Sequence, residues 1–258
     1  MNKYFNAIIG LLILPIGIKI FNSKKILMSK RIAIIGSADS AFEIENKDYI
    51  DDFDYVIRIN KAIHNWKKDS EKFIGTKTDI LLHNMYENLE SGGGPIDFKL
   101  FQNHKISYLL NPKYNYEGFR LTFNFYKKYL KLKPIFLLDR KTSIFCLNLF
   151  SKPLVPTMGF FGLYIGLVSE CEELFITGFT FFKTPYAVGY RDHLVDMKAN
   201  EQHIKSQGLH NPDLEYNLFC KLLLESKVKK IYLDSKLFQI LTSDNIKLPE
   251  NIYLKNND

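Results

Sequence analysis

Short apolar segments that alternate with stretches of helical pattern constrain the fold of this chain most strongly. The first three segments are Arg31 to Gly36 (RIAIIG), Tyr55 to Ile59 (YVIRI) and Thr78 to Leu82 (TDILL). Further segments of this kind are Ile106 to Leu110, Ile135 to Leu138, Leu174 to Thr177 and Lys229 to Leu233. Apolar runs without polar alternation are typical of strands that are buried on both faces of a sheet.

Stretches with a helical pattern separate these strands. The clearest are a Tyr- and Lys-rich helix over about Gly118 to Lys131, an apolar helix over Met158 to Glu170 and a helix over His210 to Ser226. Alternation of strands and helices predicts a parallel sheet with helices on both faces. The sequence therefore predicts a single Rossmann-like α/β domain with a mainly parallel sheet.

The composition supports a globular domain and limits its partners. The chain has 258 residues, of which 46% are hydrophobic and 24% are charged, as is ordinary for a folded protein. The net charge of +7 suits an anionic ligand or an anionic membrane surface, but it is too scattered to indicate nucleic acid. Cys146, Cys171 and Cys220 are too few and too widely spaced for a disulfide framework or a zinc site.

The N-terminal segment is strongly apolar. Residues 7–18 (AIIGLLILPIGI) carry no charge, and lysines follow within residues 19–25. A full membrane span needs about 20 apolar residues, so this run fits a signal-like segment, a short anchor or an interfacial segment. Met28 as the true start is the alternative. We expect residues 1–27 to be a hydrophobic anchor or signal-like segment that attaches the protein to a membrane, and residues 28–258 to be the folded domain.

Ligands of a parallel sheet bind beyond the carboxyl ends of its strands. Gly36, Asn60 and Gly178 directly follow predicted strands, so we expect them on one rim. The turn that begins with Gly36 and Ser37 (GSADS) is neither GxGxxG nor a Walker motif, but its backbone N–H groups can bind phosphate. The Asn60 amide can both donate to and accept from a ribose or a phosphate. A plain turn and a turn-capping Asn are the alternatives.

The apolar helix has a second candidate anion site at its start. Thr157 is a natural N-cap, and Gly159 permits close approach of a backbone or a ligand. The N-terminus of a helix attracts anions. Simple helix capping is the alternative for these two residues.

Two histidines are candidates for acid–base chemistry. His193 lies in a polar segment (YRDHL), and His210 precedes the predicted start of a helix that contains Glu215. Imidazole titrates near neutrality, so the pair can serve as a base and as a phosphate partner. A metal site is the rival interpretation, although the sequence clusters no third ligand beside them.

Four motifs in this order resemble the sialylmotifs of the family 29 sialyltransferases. The large motif is IAIIGSADS with IDDFDYVIRINKA and GTKTD, within Arg31 to Asp79. The small motif is PTMGFFGLYIGLVSECEELFITGF, from Pro156 to Phe179. His193 represents the third motif, and HNPDLE, from His210 to Glu215, represents the very small motif. In outline, the resemblance spans about Arg31 to Leu233.

The chain departs from the family pattern at several of these positions. The family has Asn after the first glycine, where this chain has Ser37, and a Ser-Thr-Gly triplet where it has Thr157, Met158 and Gly159. Cys171 matches one end of the disulfide that joins the large and small motifs in animal members, but the first strand carries no cysteine. These differences indicate a distant member of bacterial type.

The resemblance implies a modified GT-A fold and an inverting, metal-independent glycosyltransferase that moves a sialic acid from CMP-sialic acid to a glycan hydroxyl. It implies His210 as the general base, His193 beside the donor phosphate and Glu215 in a supporting role. The residues expected to bind the CMP donor are Gly36, Ser37, Asn60, Thr157, Gly159 and Gly178.

The resemblance also predicts the partners and the location. We expect no cofactor and no metal, a glycan or glycolipid acceptor, a membrane contact through the N-terminus, and no nucleic acid. The catalytic domain is expected in the cytoplasm of a bacterium or in the Golgi lumen of a eukaryote.

Three other functions fit parts of the sequence. A CMP-Kdo-dependent transferase of surface polysaccharide or lipopolysaccharide has the same leaving group. A non-catalytic nucleotide-binding protein of polysaccharide assembly is allowed by Ser37 and Met158, although His210 argues against it. An unrelated Rossmann-like hydrolase is disfavoured because the chain has no GxSxG nucleophile motif.

Overall fold

A nine-stranded parallel sheet forms the centre of the protein. The computed structural model describes residues 3–64, 67–88, 92–188, 190, 202, 206 and 208–255. The strands are β1 (Ile18–Phe21), β2 (Arg31–Ile35), β3 (Tyr55–Ile59), β4 (Ile80–Leu82), β5 (Tyr108–Asn111), β6 (Ile135–Leu138), β7 (Glu173–Thr177), β8 (Lys230–Leu233) and β9 (Ile252–Leu254). They lie in the order β1-β6-β5-β4-β3-β2-β7-β8-β9, and each neighbouring pair is parallel. The predicted α/β class with a parallel sheet is confirmed.

Helices connect the strands and cover both faces of the sheet. They are α1 (Lys3–Gly17), α2 (Ser23–Leu27), α3 (Lys47–Asp51), α4 (Glu71–Ile74), α5 (Phe98–Asn103), α6 (Tyr116–Tyr129), α7 (Arg140–Asn148), α8 (Met158–Val168), α9 (Pro212–Glu225) and α10 (Ser235–Ser243). Short 3₁₀ turns lie at Asp39–Phe42, Asn60–Ile63 and Lys68–Ser70. The predicted helices correspond to α6, α8 and α9, with ends shifted by about two residues.

Strand β2 shows why the apolar runs do not alternate with polar residues. Ile32 and Ile34 pack into the core cluster on one face of the sheet, which also contains most of α8. Ala33 and Ile35 pack into a second cluster on the opposite face, together with Phe175 of β7. Both faces of the central strands are therefore excluded from solvent, as the sequence pattern predicts.

Helix α8 lies against the centre of the sheet. Nine of its eleven residues are buried, and it packs on β2, β3 and β7. A helix that joins two parallel strands runs antiparallel to them, so its N-terminus lies at the carboxyl edge of the sheet. This packing brings the start of α8 to the edge where Gly36, Asn60 and Gly178 follow their strands.

Residues 18–27 belong to the sheet and its core, in contrast to the predicted domain boundary after residue 27. Strand β1 pairs with β6 at the sheet edge, with Ile18 opposite Ile135. Phe21 and Leu27 are fully buried, and α1 packs against α6. These contacts account for the buried residues of the segment. The large apolar side chains that remain exposed on it are Tyr4, Phe5, Ile8, Leu11, Leu12, Ile16 and Ile20.

The structure corrects the predicted location. Helix α1 has 15 residues, fewer than the roughly 20 that a membrane span needs. Within residues 3–64, 67–88, 92–188 and 208–255, no helix is sufficiently long and apolar to cross a bilayer. The prediction of a membrane-associated protein with a single N-terminal hydrophobic segment is therefore wrong.

Replacing Phe21 with alanine tests whether β1 belongs to the folded unit. The Phe21 side chain is fully buried, and its ring lies edge-on to Tyr108 with 5.1 Å between centroids. Deletion of a buried phenylalanine side chain typically costs about 3–5 kcal/mol, so we expect the free energy of unfolding in urea to fall by ~3 kcal/mol or more. Ile20 in the same strand is 51% exposed, and Ile20→Ala should cost less than about 1 kcal/mol. Equally small effects would show that β1 is not part of the fold.

Candidate active site

The order of the strands creates a switch point between β2 and β7. From β2 the chain adds β3, β4, β5 and β6 in one direction, and it then returns to add β7, β8 and β9 on the other side. Open parallel sheets bind ligands at such a point, beyond the carboxyl ends of the strands. Gly36 follows β2, Gly178 follows β7, and Asn60 follows the adjacent β3. The structure therefore brings the three predicted rim residues together.

The turns after β2 and β7 are in direct backbone contact. A Cβ atom on Gly36 would lie 2.1 Å from Gly178 O, so only glycine fits there. Gly178 has φ of +76°, a left-handed conformation that favours glycine. Its carbonyl accepts a hydrogen bond from Ala38 N at 3.0 Å. Glycine is required at both positions because the backbones of the two turns are in contact there.

A buried aspartate that no sequence motif singles out holds both turns. Asp234 follows β8 and is 5% exposed. Its Oδ2 accepts hydrogen bonds from Gly178 N at 2.8 Å, Thr177 Oγ1 at 3.0 Å and Ser40 Oγ at 3.1 Å. Burial raises the pKa of the Asp234 carboxyl, although these hydrogen bonds act in the opposite direction. Asp234 directly follows β8 and so lies at the carboxyl edge of the sheet. A polar residue directly after a predicted strand is the sequence signal that could have identified it.

Asn60 holds the end of β3 against the end of β4. Its φ is +52°, in the left-handed region that asparagine tolerates better than most residues. Its Oδ1 accepts a hydrogen bond from Asn84 N at 3.1 Å, and the residue is 7% exposed. This bond joins the ends of two neighbouring strands, and Asn60 also lines the cavity described below.

The segment after β7 closes against the turn after β2. Tyr186 forms an antiparallel bridge with Ala38, and Ala187 N donates to Ser37 O at 2.9 Å. This pairing joins residues that are distant in sequence, so the local pattern gives no sign of it. It fixes Ser37 in the wall of the cavity.

A buried carboxylate fixes the N-terminus of α8. Thr157 is the N-cap, and its Oγ1 accepts a hydrogen bond from Phe160 N at 3.0 Å. The Thr157 backbone N–H and hydroxyl donate to Glu215 Oε1 and Oε2, both at 2.7 Å. Glu215 is 3% exposed and lies in the first turn of α9. It therefore joins the start of α9 to the start of α8.

The same environment changes the acidity of Glu215. Burial raises the pKa of its carboxyl to about 7, although the two hydrogen bonds from Thr157 act in the opposite direction. Its ionised form lies at the N-terminus of α8, where the helix dipole favours negative charge. Glu215 therefore titrates near neutral pH beside the cavity.

His210 lies in the segment that leads into α9. Its Nδ1 is 2.8 Å from Val155 O, and Val155 N donates to Leu209 O at 2.8 Å. A carbonyl oxygen can only accept, so Nδ1 carries the proton in this contact. The neutral tautomer then has its lone pair on Nε2, as a general base requires.

One cavity of about 530 Å³ brings these parts together. Its volume is in the range of small-molecule sites. Eight of the predicted site residues line it: Gly36, Ser37, Asn60, Thr157, Gly159, Gly178, His210 and Glu215. His193 lies outside the described residues, and so do Leu194 and Val195.

The far end of the cavity contains a polar cluster that the sequence analysis misses. Lys113 Nζ donates to Glu117 Oε1 at 3.0 Å, and Tyr86 OH donates to the same oxygen at 3.0 Å. Arg120 Nη2 donates to Tyr86 OH at 3.2 Å. Lys113, Glu117 and Tyr86 all line the cavity. Lys113 and Glu117 are one helical turn apart in sequence, a spacing that predicts an ion pair but does not indicate a ligand site.

The structure leaves the metal prediction open. Among the described residues, no three His, Cys, Asp or Glu side chains are grouped to hold a metal ion. Because His193 is not among them, metal independence stays a prediction. Cys146, Cys171 and Cys220 are buried free thiols.

The fold of the chain is that of sialyltransferases of known structure. A mammalian sialyltransferase matches over 100% of this chain and 80% of its own, with 16% identity and a TM-score of 0.51. A variant of the sialyltransferase CST-II in complex with CMP matches over 86% of this chain and 87% of its own, with 15% identity and a TM-score of 0.51. CstII from Campylobacter jejuni, also in complex with cytidine-5'-monophosphate, matches over 80% of this chain and 80% of its own, with 15% identity and a TM-score of 0.48.

No protein-family model and no curated protein sequence matches the chain. The structural matches confirm the predicted Rossmann-like glycosyltransferase fold, and their low identity agrees with a distant relationship. At this identity the match concerns the fold, and the roles of individual residues stay predictions.

Replacing Glu215 with glutamine tests whether the raised pKa of this buried carboxyl makes the stability of the fold depend on pH. Its pKa of about 7 in the folded protein lies above the ordinary value of 4.5, so the folded state binds this proton more tightly than the unfolded state. The resulting stability is fully present below about pH 4.5 and is lost as the pH rises through 7. Between pH 4.5 and 8, the free energy of unfolding of the wild type should fall relative to Glu215→Gln by on the order of 2–3 kcal/mol.

Urea denaturation across this pH range measures the difference. Glu225→Gln, at the exposed end of α9, is the matched control and should follow the wild type at every pH. A difference between the wild type and Glu215→Gln that does not vary with pH would contradict the prediction.

Proposed function

We propose that this protein is an inverting glycosyltransferase that moves a sialic acid from CMP-sialic acid to a glycan hydroxyl, with His210 as the general base. The observation that carries the proposal is the contact between His210 Nδ1 and Val155 O. It sets the tautomer of an imidazole in the same cavity as the turns at the β2–β7 switch point. The sialyltransferase fold supports the same reaction class.

The donor nucleotide fits the β2–β7 end of the cavity. Gly36, Ser37 and Gly178 form the turns there, and Asn60 offers an amide at the adjacent strand end. The first residues of α8, Met158 and Gly159, line the same space, and N–H groups at the start of a helix have no acceptor within that helix. Such N–H groups and the helix dipole favour a phosphate. A CST-II variant of this fold binds CMP, which supports a CMP donor here.

The proposed reaction is a single displacement. The acceptor hydroxyl gives its proton to His210 Nε2, and its oxygen forms a bond to the anomeric carbon of the donor sugar. The bond between that carbon and the phosphate oxygen breaks, and CMP leaves with the electron pair. Attack opposite to the leaving group inverts the configuration. Imidazole, whose ordinary pKa lies near neutrality, is a suitable base for this proton transfer.

The leaving group needs charge stabilisation and not a strong acid. CMP departs as a phosphate dianion, which N–H donors at the start of α8 would stabilise most when its charge is fully developed. We assign His193 to the same phosphate on the basis of the third sialylmotif. Glu215 acts in this scheme as a positioning residue, because it holds α8 and α9 in register through Thr157.

The proposed function is tested by donor hydrolysis. The full chain is incubated separately with CMP-sialic acid and CMP-Kdo, and release of CMP is measured. Release from CMP-sialic acid supports the proposal, and release from CMP-Kdo alone supports the alternative donor. Absence of release from both, with and without a galactoside acceptor, would overturn a CMP-dependent transferase.

Replacing His210 with alanine should abolish most of the transfer. Loss of a general base typically costs about 10²-fold or more in rate, whereas the affinity for CMP, measured by calorimetry, should change by less than about threefold. His104→Ala is the control, since His104 lies at the C-terminus of α5 and does not line the cavity. Near-normal transfer by His210→Ala would show that another group is the base.

Chelation tests the proposed metal independence. The charges that the scheme uses come from N–H groups and imidazoles, so transfer in excess EDTA should stay within about twofold of the untreated rate. Loss of transfer in EDTA with recovery on addition of Mg²⁺ or Mn²⁺ would contradict this prediction.

A further inference from the structure

Lys113 is a buried cation in the wall of the cavity. It follows β5, and Asn111 Oδ1 accepts a hydrogen bond from its backbone N–H at 3.2 Å. The residue is 8% exposed. Among the described residues that line the cavity, Lys113 is the only lysine or arginine. The fold thus places one ammonium group in a largely desolvated position at the ligand site.

The ammonium group has more donors than the described residues satisfy. An ammonium carries three N–H donors, and within the described part of the chain Lys113 Nζ donates one of them, to Glu117 Oε1. A buried charge with unused donors is costly unless a ligand completes its hydrogen bonds. The ion pair with Glu117 therefore does not by itself account for the remaining N–H donors of the buried Lys113 ammonium.

The polar cluster around Glu117 carries an excess of positive charge. Burial acts to raise the pKa of Glu117, but the Lys113 ammonium, the Tyr86 hydroxyl and the Arg120 guanidinium outweigh it and hold that pKa below its ordinary value. Glu117 is therefore ionised at neutral pH. Among the described residues of this cluster, two cations face one carboxylate, and the Arg120 guanidinium is exposed and outside the cavity lining. The described cluster therefore has no net negative charge that would repel an anionic ligand.

The position of Lys113 separates it from the nucleotide end. Strand β5 lies three strands from β2, and three strand spacings correspond to about 14 Å. In a CMP-linked sialic acid the carboxylate is attached to the carbon that carries the phosphate oxygen. The two anions of the donor therefore lie side by side, and a donor bound at the β2–β7 end has no third anion for Lys113.

We propose that Lys113 recognises an anionic group, a carboxylate or a phosphate, on the acceptor. The acceptor is then an acidic glycan and not a neutral galactoside. This inference rests on the proposed function, because it assumes that the CMP donor occupies the β2–β7 end. Glu117 positions the Lys113 ammonium, and Tyr86 and Arg120 keep Glu117 ionised.

The test compares three acceptors with CMP-sialic acid as the donor. They are lactose, lactose with a terminal sialic acid and lactose with a phosphate ester. For the wild type we expect a KM at least tenfold lower for one of the two acidic acceptors than for lactose. The two acidic acceptors distinguish a carboxylate from a phosphate as the recognised group.

Lys113→Met should raise the KM for the preferred acidic acceptor by about 10-fold or more, because a charge-assisted hydrogen bond is lost. The KM for lactose and the KM for the donor should change much less. The double variant Lys113→Met/Glu117→Gln leaves no unpaired carboxylate, so it separates recognition from folding and should lose the acidic preference equally. Lys99→Met, on the exposed side of α5, removes the same charge elsewhere and should keep the wild-type preference.

Two results would overturn the inference. Equal use of lactose and both acidic acceptors by the wild type would show that no anionic acceptor is recognised. A rise in donor KM as large as that in acceptor KM, in both Lys113 variants, would assign Lys113 to the donor carboxylate. Either result is compatible with release of CMP from CMP-sialic acid by the wild type, whereas absence of that release would overturn the proposed function itself.

Discussion

The two hydrogen bonds from Thr157 to Glu215 are the constraint on which the candidate site depends. They join the first turn of α9 to the start of α8 through a carboxylate that has almost no contact with solvent. His210 lies between these two helix starts and is tied to Val155, just before Thr157. The position of the imidazole therefore follows from the position of two helices. We therefore expect a change at Glu215 to shift His210 through these two helix starts.

The central strands were predictable from the sequence because their apolar character is local. Strand β2 has no polar residue between Ile32 and Ile35, and both of its faces are buried. The two edge strands were not predictable in this way. Strand β1 continues an apolar helix without a break, and its identity depends on pairing with β6. Strand β9 is three residues long and exposes Tyr253 and Leu254.

The site was predictable where a turn demands a particular residue. Gly36 and Gly178 are visible as glycines at strand ends, and the structure requires them for a backbone contact. Asp234 was not visible, because its contacts join residues that the strand order brings beside it. Asp234 meets Ser40 only because β8 lies next to β7 and β7 next to β2. Local patterns carry no information about such neighbours.

The pairing of β1 with β6 has a consequence for synthesis. Helix α1 and strand β1 leave the ribosome before their partners, because α1 packs on α6 and β1 pairs with β6. Until the chain has grown past Leu138, β1 lacks the strand with which it pairs. The nascent chain therefore carries an apolar strand without its pairing partner until about half of the protein has been synthesised. Unpaired strand edges of this kind bind chaperones or promote aggregation.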